Sequence, residues 1–512
     1  MIATSALVAD TIGWMKDMAG DVELSSDSRT LSSGEWFLAY PGDASDGRNH
    51  IGTAVARGAA GVVFDASADF QWDDNWKVPH RAVPGLRQLA GELAAAWYGA
   101  ADKRMFTVAV TGTNGKTSCT QWLGCALSQV DGPVAVVGTL GAGLWIDGRM
   151  GEFIETGFTT PDAVQLQRRL AALRQSNAWA LAIEASSIGL SQGRLAGLDV
   201  DVALFTNLTR DHLDFHGDMQ AYEQAKTMLF DWPGLRHAII NLDDPAGMRL
   251  VQRLRQRSSV AVMGYTLGDA ASNGADLPAS IPVLRATEIR STQSGTGFNL
   301  ESPFGRGPVR TQMVGRFNVS NVLGLTGVLL ARGIEWQTAV DLIENLQSVP
   351  GRMQQLGGQD APLVVIDYAH TPDALEKTLT SLREVAQERR GRLWCVFGCG
   401  GDRDPGKRPE MGAVVARLAD AAVVTSDNPR SEEPGAIIKA IIAGMPAAPQ
   451  AIEDRAAAIL WAIRHAARAD VVLLAGKGHE NYQEIKGRKQ PFLDADHAAL
   501  ALLSRATMKG NN

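Results

Sequence analysis

The sequence predicts an α/β protein in three parts. A small N-terminal α/β domain spans 1–100, a central P-loop ATPase-like domain with a mostly parallel sheet spans 101–349, and a Rossmann-like C-terminal domain spans 350–512. Three observations carry that reading. A chain of 512 residues holds about three domains at ~150 residues each. From residue 105 onward, short apolar β-rich runs alternate with helical stretches, the rhythm of βαβ units. Between two such series, SVPGRM at 348–353 supplies the Pro-Gly punctuation of a hinge.

In chain order, WFLAYPG at 36–42 and AAGVVFD at 59–65 mix with loops such as PGDASDGRNH at 41–50, so the first hundred residues read as a unit of low regularity. MFTVAV at 105–110 is a strand ending in a Gly-containing turn, with a helix from Thr117. Further buried strands are expected at 134–137, 179–184, 202–206 and 238–241. Residues 259–313 lose the rhythm and read as shorter strands and loops, before helices at 318–332 and 336–346. Beyond the hinge, strands are expected at 363–367, 393–398, 421–426 and 471–476.

Composition excludes several classes of protein. Apolar residues at 45% and charged residues at 21% are ordinary for a globular chain, which needs no disulfide or metal staple at this length. A net charge of -7 gives no reason to expect nucleic acid or an anionic membrane as partner. Cys119, Cys125, Cys395 and Cys399 are too few and too clustered for a disulfide framework, and Cys395 and Cys399 have no histidine nearby for metal binding. No run approaches ~18 apolar residues, and Asp10 falls where a signal peptide needs an unbroken apolar core. A cytoplasmic protein without membrane insertion is expected.

The strongest motif is TGTNGKTS at 111–118, placed where a strand ends and a helix begins. Gly112 and Gly115 let the loop of Thr113 and Asn114 turn its N–H groups toward phosphate oxygens. Lys116 can reach the terminal phosphates, Thr117 can ligate Mg²⁺, and Ser118 continues the first helical turn, whose N-terminus favours an anion. The general pattern wants a glycine five residues before the second one, where this chain has Val110. Glu184 ends an apolar strand on the ligand-binding edge of the sheet. Asn318 and Asn321 lie one turn apart at a helix start, either sharing a face or, for Asn318, capping the helix.

Downstream come EASS at 184–187, FTNLTRDHLDFHG at 205–217, YEQAK at 222–226, GRFNVSN at 315–321, PGR at 350–352 and DYAHTPD at 367–373. With the shortened loop, these segments resemble the Mur ligase and folylpolyglutamate synthetase superfamily over essentially the whole chain. FGCGGDRDPGKRP at 397–409, DNPR at 427–430 and GKGHE at 476–480 resemble the family's diaminopimelate-adding branch.

The resemblance implies the three-domain Mur ligase architecture. It also implies an ATP-dependent ligase that phosphorylates a carboxylate and lets an amine displace the phosphate. Negative charge then crowds the centre, which calls for cations and basic side chains. By the resemblance, Lys116, Glu184, His212 and Lys226 are catalytic. Mg²⁺ is held by Thr117, Glu184, His212 and a CO₂-derived carbamate on Lys226, which needs a lysine of lowered pKa. Asn318 and Asn321 contact adenine, Arg352 the γ-phosphate and Asp367 the ribose.

The UDP-muramoyl dipeptide falls to Ser26, Ser28, Asp43, Ala44, Ser45, Thr159, Thr160, Ser186, Gln192 and Arg194. Phe158, where some relatives have asparagine, and Ile188, where many have histidine, depart from the pattern. Diaminopimelate falls to Arg403, Asp427, Asn428, Pro429, Arg430, Gly476 and Glu480. Arg430 suits a bidentate grip on the distal carboxylate that lysine lacks. The other readings are a lysine-adding or folylpolyglutamate-type ligase, or a phosphate-loop switch. The partners implied are small molecules only, and a monomer is expected.

Overall fold

The computed structural model describes residues 2–43, 45–67, 69–256, 259–268, 281–292 and 295–509. Ala44, one of the expected substrate contacts, lies outside the described residues.

The N-terminal part is more regular than its sequence predicts. Strands Leu24–Ser25, Trp36–Ala39, Gly61–Asp65 and His80–Val83 form a parallel sheet in sequential order. Helices Ile2–Ala19 and Leu86–Trp97 bury Met15, Leu89 and Leu93 against Trp36 and Leu38 on one face. On the other face Phe37, Val62 and Phe64 pack on Ile51 and Leu31. Strands of two to five residues are too short for periodicity to reveal.

The central sheet places strand Phe106–Thr111 between Ala180–Glu184 and Val202–Phe205. Val134–Gly138 lies beyond the first neighbour, and His237–Asn241 and Ala261–Thr266 lie beyond the second, all parallel. Helices Lys116–Leu127 and Arg316–Ala331 seal one face through Cys119, Leu123, Val319 and Leu323. Helices Ala163–Gln175 and Pro245–Leu254 seal the other through Leu166, Leu170 and Val251.

Two expectations are corrected here. Ala261–Thr266 continues the parallel sheet, and Val283–Thr292, Gly295–Ser302 and Gly305–Thr311 form a long antiparallel meander rather than short strands. In the middle strand Thr296, Phe298 and Leu300 are buried and alternate with more exposed residues, so no continuous apolar run marks it. At the other edge, hairpin Gly141–Ile146 and Arg149–Ile154 was also not predicted, because its second strand is mostly exposed.

The C-terminal sheet runs Gln354–Gly357 (antiparallel), then Leu363–Asp367, Val471–Ala475, Leu393–Phe397, Ala421–Val424 and Gln450–Ala451, all parallel. Helices Pro372–Glu388, Lys407–Leu418 and Pro434–Ile442 cover one face, and Arg455–His465 and Asp494–Lys509 the other. The last pair is tied by Arg455 and Asp494, 2.6 Å apart and without exposed surface. All four cysteines are buried and free. Among the described residues no helix is long and apolar enough to cross a membrane.

Candidate active site

The loops that follow the three middle strands of the central sheet meet at its C-terminal edge, the ligand-binding position of an open α/β sheet. Val110 is still a strand residue, paired with Leu204 and Glu184, so the first glycine of the turn comes two residues later than the general pattern has it. Gly112 has φ 144, and a Cβ there would lie 1.9 Å from Thr206 Oγ1. The loop is braced from outside: the Thr113 N–H donates to Asn207 O (2.8 Å) and the Asn114 N–H to Asn207 Oδ1 (3.0 Å). Lys116 Nζ donates to Gly112 O (2.8 Å) and Thr113 O (2.9 Å), and burial lowers its pKa against the pull of Glu184.

Glu184 is fully buried and receives three donors. Thr139 N–H reaches Oε1 at 2.8 Å, while the Thr117 and Thr139 hydroxyls each reach Oε2 at 3.1 Å. Arg352 crosses from the hinge, and its Nη2 donates to Thr117 Oγ1 at 3.0 Å. A buried carboxylate beside two hydroxyls is an all-oxygen, hard donor set that fits Mg²⁺. His212, at φ 53 before the short helix Leu213–His216, lines the same cavity. Its pKa is lowered by burial and by Lys116 and Lys226, against the pull of Asp211. Among the described residues, no three His, Cys, Asp or Glu side chains cluster closely enough to hold a metal without further ligands.

Lys226 is not a surface lysine. It is 2% exposed, its Nζ sits 4.4 Å from the Tyr222 ring, and it donates to Gly112 O at 2.8 Å. Lys116 donates to that same carbonyl oxygen, so burial and then Lys116 hold the Lys226 pKa well below its usual value. Tyr222, within hydrogen-bond distance of Thr113 Oγ1 at 3.1 Å, ties this helix to the phosphate loop.

Thr113 through Ser118 line a cavity of about 700 Å³ together with Asn318, Asn321, Arg352 and Asp367. Asn318 does not cap its helix: Gly315 does, and the Asn318 amide donates back to Val314 O at 2.9 Å. Asp367 accepts from the Met353 N–H at 2.9 Å, so its carboxylate also braces the hinge. Burial raises its pKa, against the pull of Arg352.

A second cavity, of about 990 Å³, lies across the C-terminal edge of the other sheet. Arg403, Asp427, Asn428, Arg430, Gly476 and Glu480 line it. Pro429 does not, its carbonyl packing instead against Gly401. Arg430 donates to Gly401 O at 2.7 Å and lies 3.5 Å from Glu484. Glu480 accepts from Asn428 Nδ2 (2.7 Å) and Lys477 Nζ (3.0 Å).

The two cavities share Thr139, Thr159, Asp211, His212, Tyr368 and His370. Burial pushes the His370 pKa down to about 4, with Lys407 adding to it, and its Nδ1 lies 2.8 Å from Tyr368 O.

The expected dipeptide residues gather where the N-terminal and central parts meet. Ser26 Oγ donates to Asp162 (2.8 Å), Gln192 Nε2 to Asp43 (2.8 Å), and Arg194 to Gln192 Oε1 and Thr160 O (both 2.8 Å). Thr160 is fully buried and bonds Glu184 O and Ser186, so it braces rather than faces the cavity. Ser28 is buried, while Ser45 is exposed, 3.5 Å from His50.

Sequence reasoning missed Thr139, Asp211 and Lys477. Thr139 acts through Glu184, distant in sequence, whereas Lys477 had a signal, standing in GKGHE three residues before Glu480. Asp211 had a signal, since it sits next to His212 in RDHLD.

Sheet order, glycine loop and paired cavities together describe an α/β ligase-type enzyme in which residues from both sides of the Pro-Gly turn at 350–351 line one cavity. The chain belongs to the Mur ligase family. Residues 110–329 match the Mur ligase middle domain, 351–478 the Mur ligase glutamate ligase domain, and 23–98 the Mur ligase family catalytic domain. It is 63% identical to the UDP-N-acetylmuramoyl-L-alanyl-D-glutamate–2,6-diaminopimelate ligase of Janthinobacterium sp. (strain Marseille), covering 98% of each chain. To the ligase of that name from Ralstonia nicotianae it is 50% identical, over 98% of this chain and 97% of that one. A solved structure of a ligase so named superposes with TM-score 0.64 at 34% identity, covering 94% of this chain and 95% of that one. Mycobacterium tuberculosis folylpolyglutamate synthase shares the fold, with TM-score 0.59 at 17% identity over 77% of this chain and 92% of that one.

Proposed function

We propose that this chain is an ATP-dependent, ADP-forming ligase that adds meso-2,6-diaminopimelate to UDP-N-acetylmuramoyl-L-alanyl-D-glutamate in peptidoglycan precursor synthesis. The observation that carries it is the shared wall: a phosphate-loop cavity and an Arg430/Glu480 cavity open onto one point. In this reading the glutamyl carboxylate takes the γ-phosphoryl group there. The amine then attacks the acyl carbon, and phosphate leaves from the tetrahedral intermediate.

Lys116 and Arg352 carry the phosphate charge from opposite domains. Glu184, Thr117 and His212 would hold Mg²⁺, which supplies charge neutralisation to the phosphates when bound. Two lysines donating to one carbonyl favour a neutral Lys226 amine, the form that reacts with CO₂. A carbamate there would set an anion beside the Lys116 ammonium, an opposite-charge contact. Asn318 and Asn321 take the adenine side and Asp367 the ribose. Arg430 and Arg403 take the distal carboxylate of diaminopimelate, and Glu480 its amine. The dipeptide lies along Thr159, Ser186, Gln192 and Arg194, with the uridine toward Ser26, Ser28 and Asp43. Domain limits at 100 and 349, a monomer and a cytoplasmic location complete the reading.

ADP release should require the UDP-dipeptide and diaminopimelate together, with a tripeptide product detected by mass spectrometry. Hydrolysis without acceptor would favour a nucleotide switch, and equal turnover with lysine would overturn the amino-acid assignment.

A further inference from the structure

Lys477 is fully buried, and it stands behind the wall of the second cavity rather than in it. Its ammonium finds an acceptor for each of its protons: Tyr482 O at 2.6 Å, Glu480 Oε2 at 3.0 Å and Asn428 Oδ1 at 3.1 Å. It therefore has no donor left for a ligand. All three acceptors belong to residues that do line the cavity.

Two of these bonds fix side chains of the wall. Asn428 Oδ1 also accepts from the Glu484 N–H at 3.0 Å, which turns the amide so that its Nδ2 donates to Glu480 Oε2 at 2.7 Å. Glu480 Oε2 is thus held by two donors, while among the described residues Oε1 meets only the Tyr368 hydroxyl, at 3.4 Å. Burying a cation is costly, and an apolar side chain of similar volume often serves stability as well. A lysine saturated at this place is explained by the geometry it imposes on its neighbours.

We infer that Lys477 is a positioning residue for the amino-acid substrate: by holding Glu480 Oε2 and the Asn428 amide, it keeps Glu480 Oε1 in place to accept from the distal ammonium of diaminopimelate. This rests on the ligase reading above.

Steady-state kinetics on the full chain test it, with wild-type turnover on diaminopimelate measured first. The probes are 2-aminopimelate, which has both carboxylates but no distal amine, and lysine, which has the amine but no distal carboxylate. Wild type should prefer diaminopimelate to both in kcat/KM. Lys477→Met, of similar length but without donors, should cut the preference over 2-aminopimelate at least ~10-fold, the worth of one hydrogen bond to a charged group. The preference over lysine should hold, because lysine carries the same amine and loses the same contact. KM for ATP and for the UDP-dipeptide should stay unchanged. Lys477→Gln, which keeps a donor on a shorter arm, should fall between. In a Glu480→Gln background, Lys477→Met should cost no further preference, since the lysine acts through that carboxylate. An undiminished preference over 2-aminopimelate in both variants, an equal fall in the preference over lysine, or full additivity with Glu480→Gln would each overturn the role while leaving the ligase reading intact. Failure of both variants to fold would make the lysine structural and overturn the role as well. Absence of wild-type turnover on diaminopimelate would overturn both readings.

Discussion

Arg430 adopts φ 51, a left-handed conformation that arginine rarely takes, and its N–H and C=O bridge to Glu484 and Lys486. That strained backbone aims a half-buried guanidinium at the second cavity, between Gly401 O and Glu484. If it pairs with a carboxylate, removing it leaves that charge without its partner in a closed site. Arg430→Ala should therefore raise KM for diaminopimelate by at least ~30-fold, with ATP and UDP-dipeptide constants little changed. Lysine should gain relative to diaminopimelate, and Arg430→Lys should rescue only partly, keeping charge but losing the planar fork. Equal losses for all substrates would remove this role.

At this scale the phosphate loop and Glu184 were legible because strand, glycine turn and helix are local patterns. The burial of Lys226 was not legible, because its neighbour Gly112 is distant in sequence and periodicity on a helix of nine residues cannot rank one face as deep.

The helix Met219–Thr227 shows what an element adds. Asp218 caps it, its carboxylate accepting from the Ala221 N–H at 2.8 Å, and Tyr222 anchors it under the phosphate loop. Its last turn then delivers Lys226 into the site as a group that resists protonation. Between that depressed value and the ordinary lysine value of 10.5, the unfolded chain holds a proton that the native chain lacks. Stability in CO₂-free buffer should therefore rise with pH across that window, by at most about 1.4 kcal/mol per pH unit, and level off below the native value. Denaturant midpoints against pH for wild type and Lys226→Met check this, because methionine removes the titration. An identical slope in both proteins would mean that Lys226 titrates normally.

The whole molecule contributes closure. Asn114 of the phosphate loop donates to Asp373 of the C-terminal domain at 3.2 Å, and Arg352 reaches Thr117 the other way. Asp373 is also paired with Lys377 at 3.0 Å, at the start of a helix that lines the nucleotide cavity. The hinge itself is tight: Gly351 has φ 69, and a Cβ there would lie 2.1 Å from His479 N. Asp373→Ala should loosen closure and raise KM for ATP roughly 2- to 10-fold, the range of one net hydrogen bond. Small-angle scattering should show a more extended nucleotide-bound form, and unchanged scattering and kinetics would discount the contact.

What the sequence by itself determined is whatever depends on neighbours along the chain. That covers the βαβ rhythm of the two larger sheets, the strand-loop-helix at 106–127, the Pro-Gly turn at 350–351 and the acidic end of strand Ala180–Glu184. Only the tertiary structure decided the edge meander, the regularity of the N-terminal sheet, the depth of Lys226 and the wall shared by the two cavities. The last two are contacts between segments tens to hundreds of residues apart, whereas the meander pairs neighbouring strands whose half-exposed faces leave no apolar run to read. The energy of each comes from burial and hydrogen bonding after the sheets assemble, which local propensity does not encode.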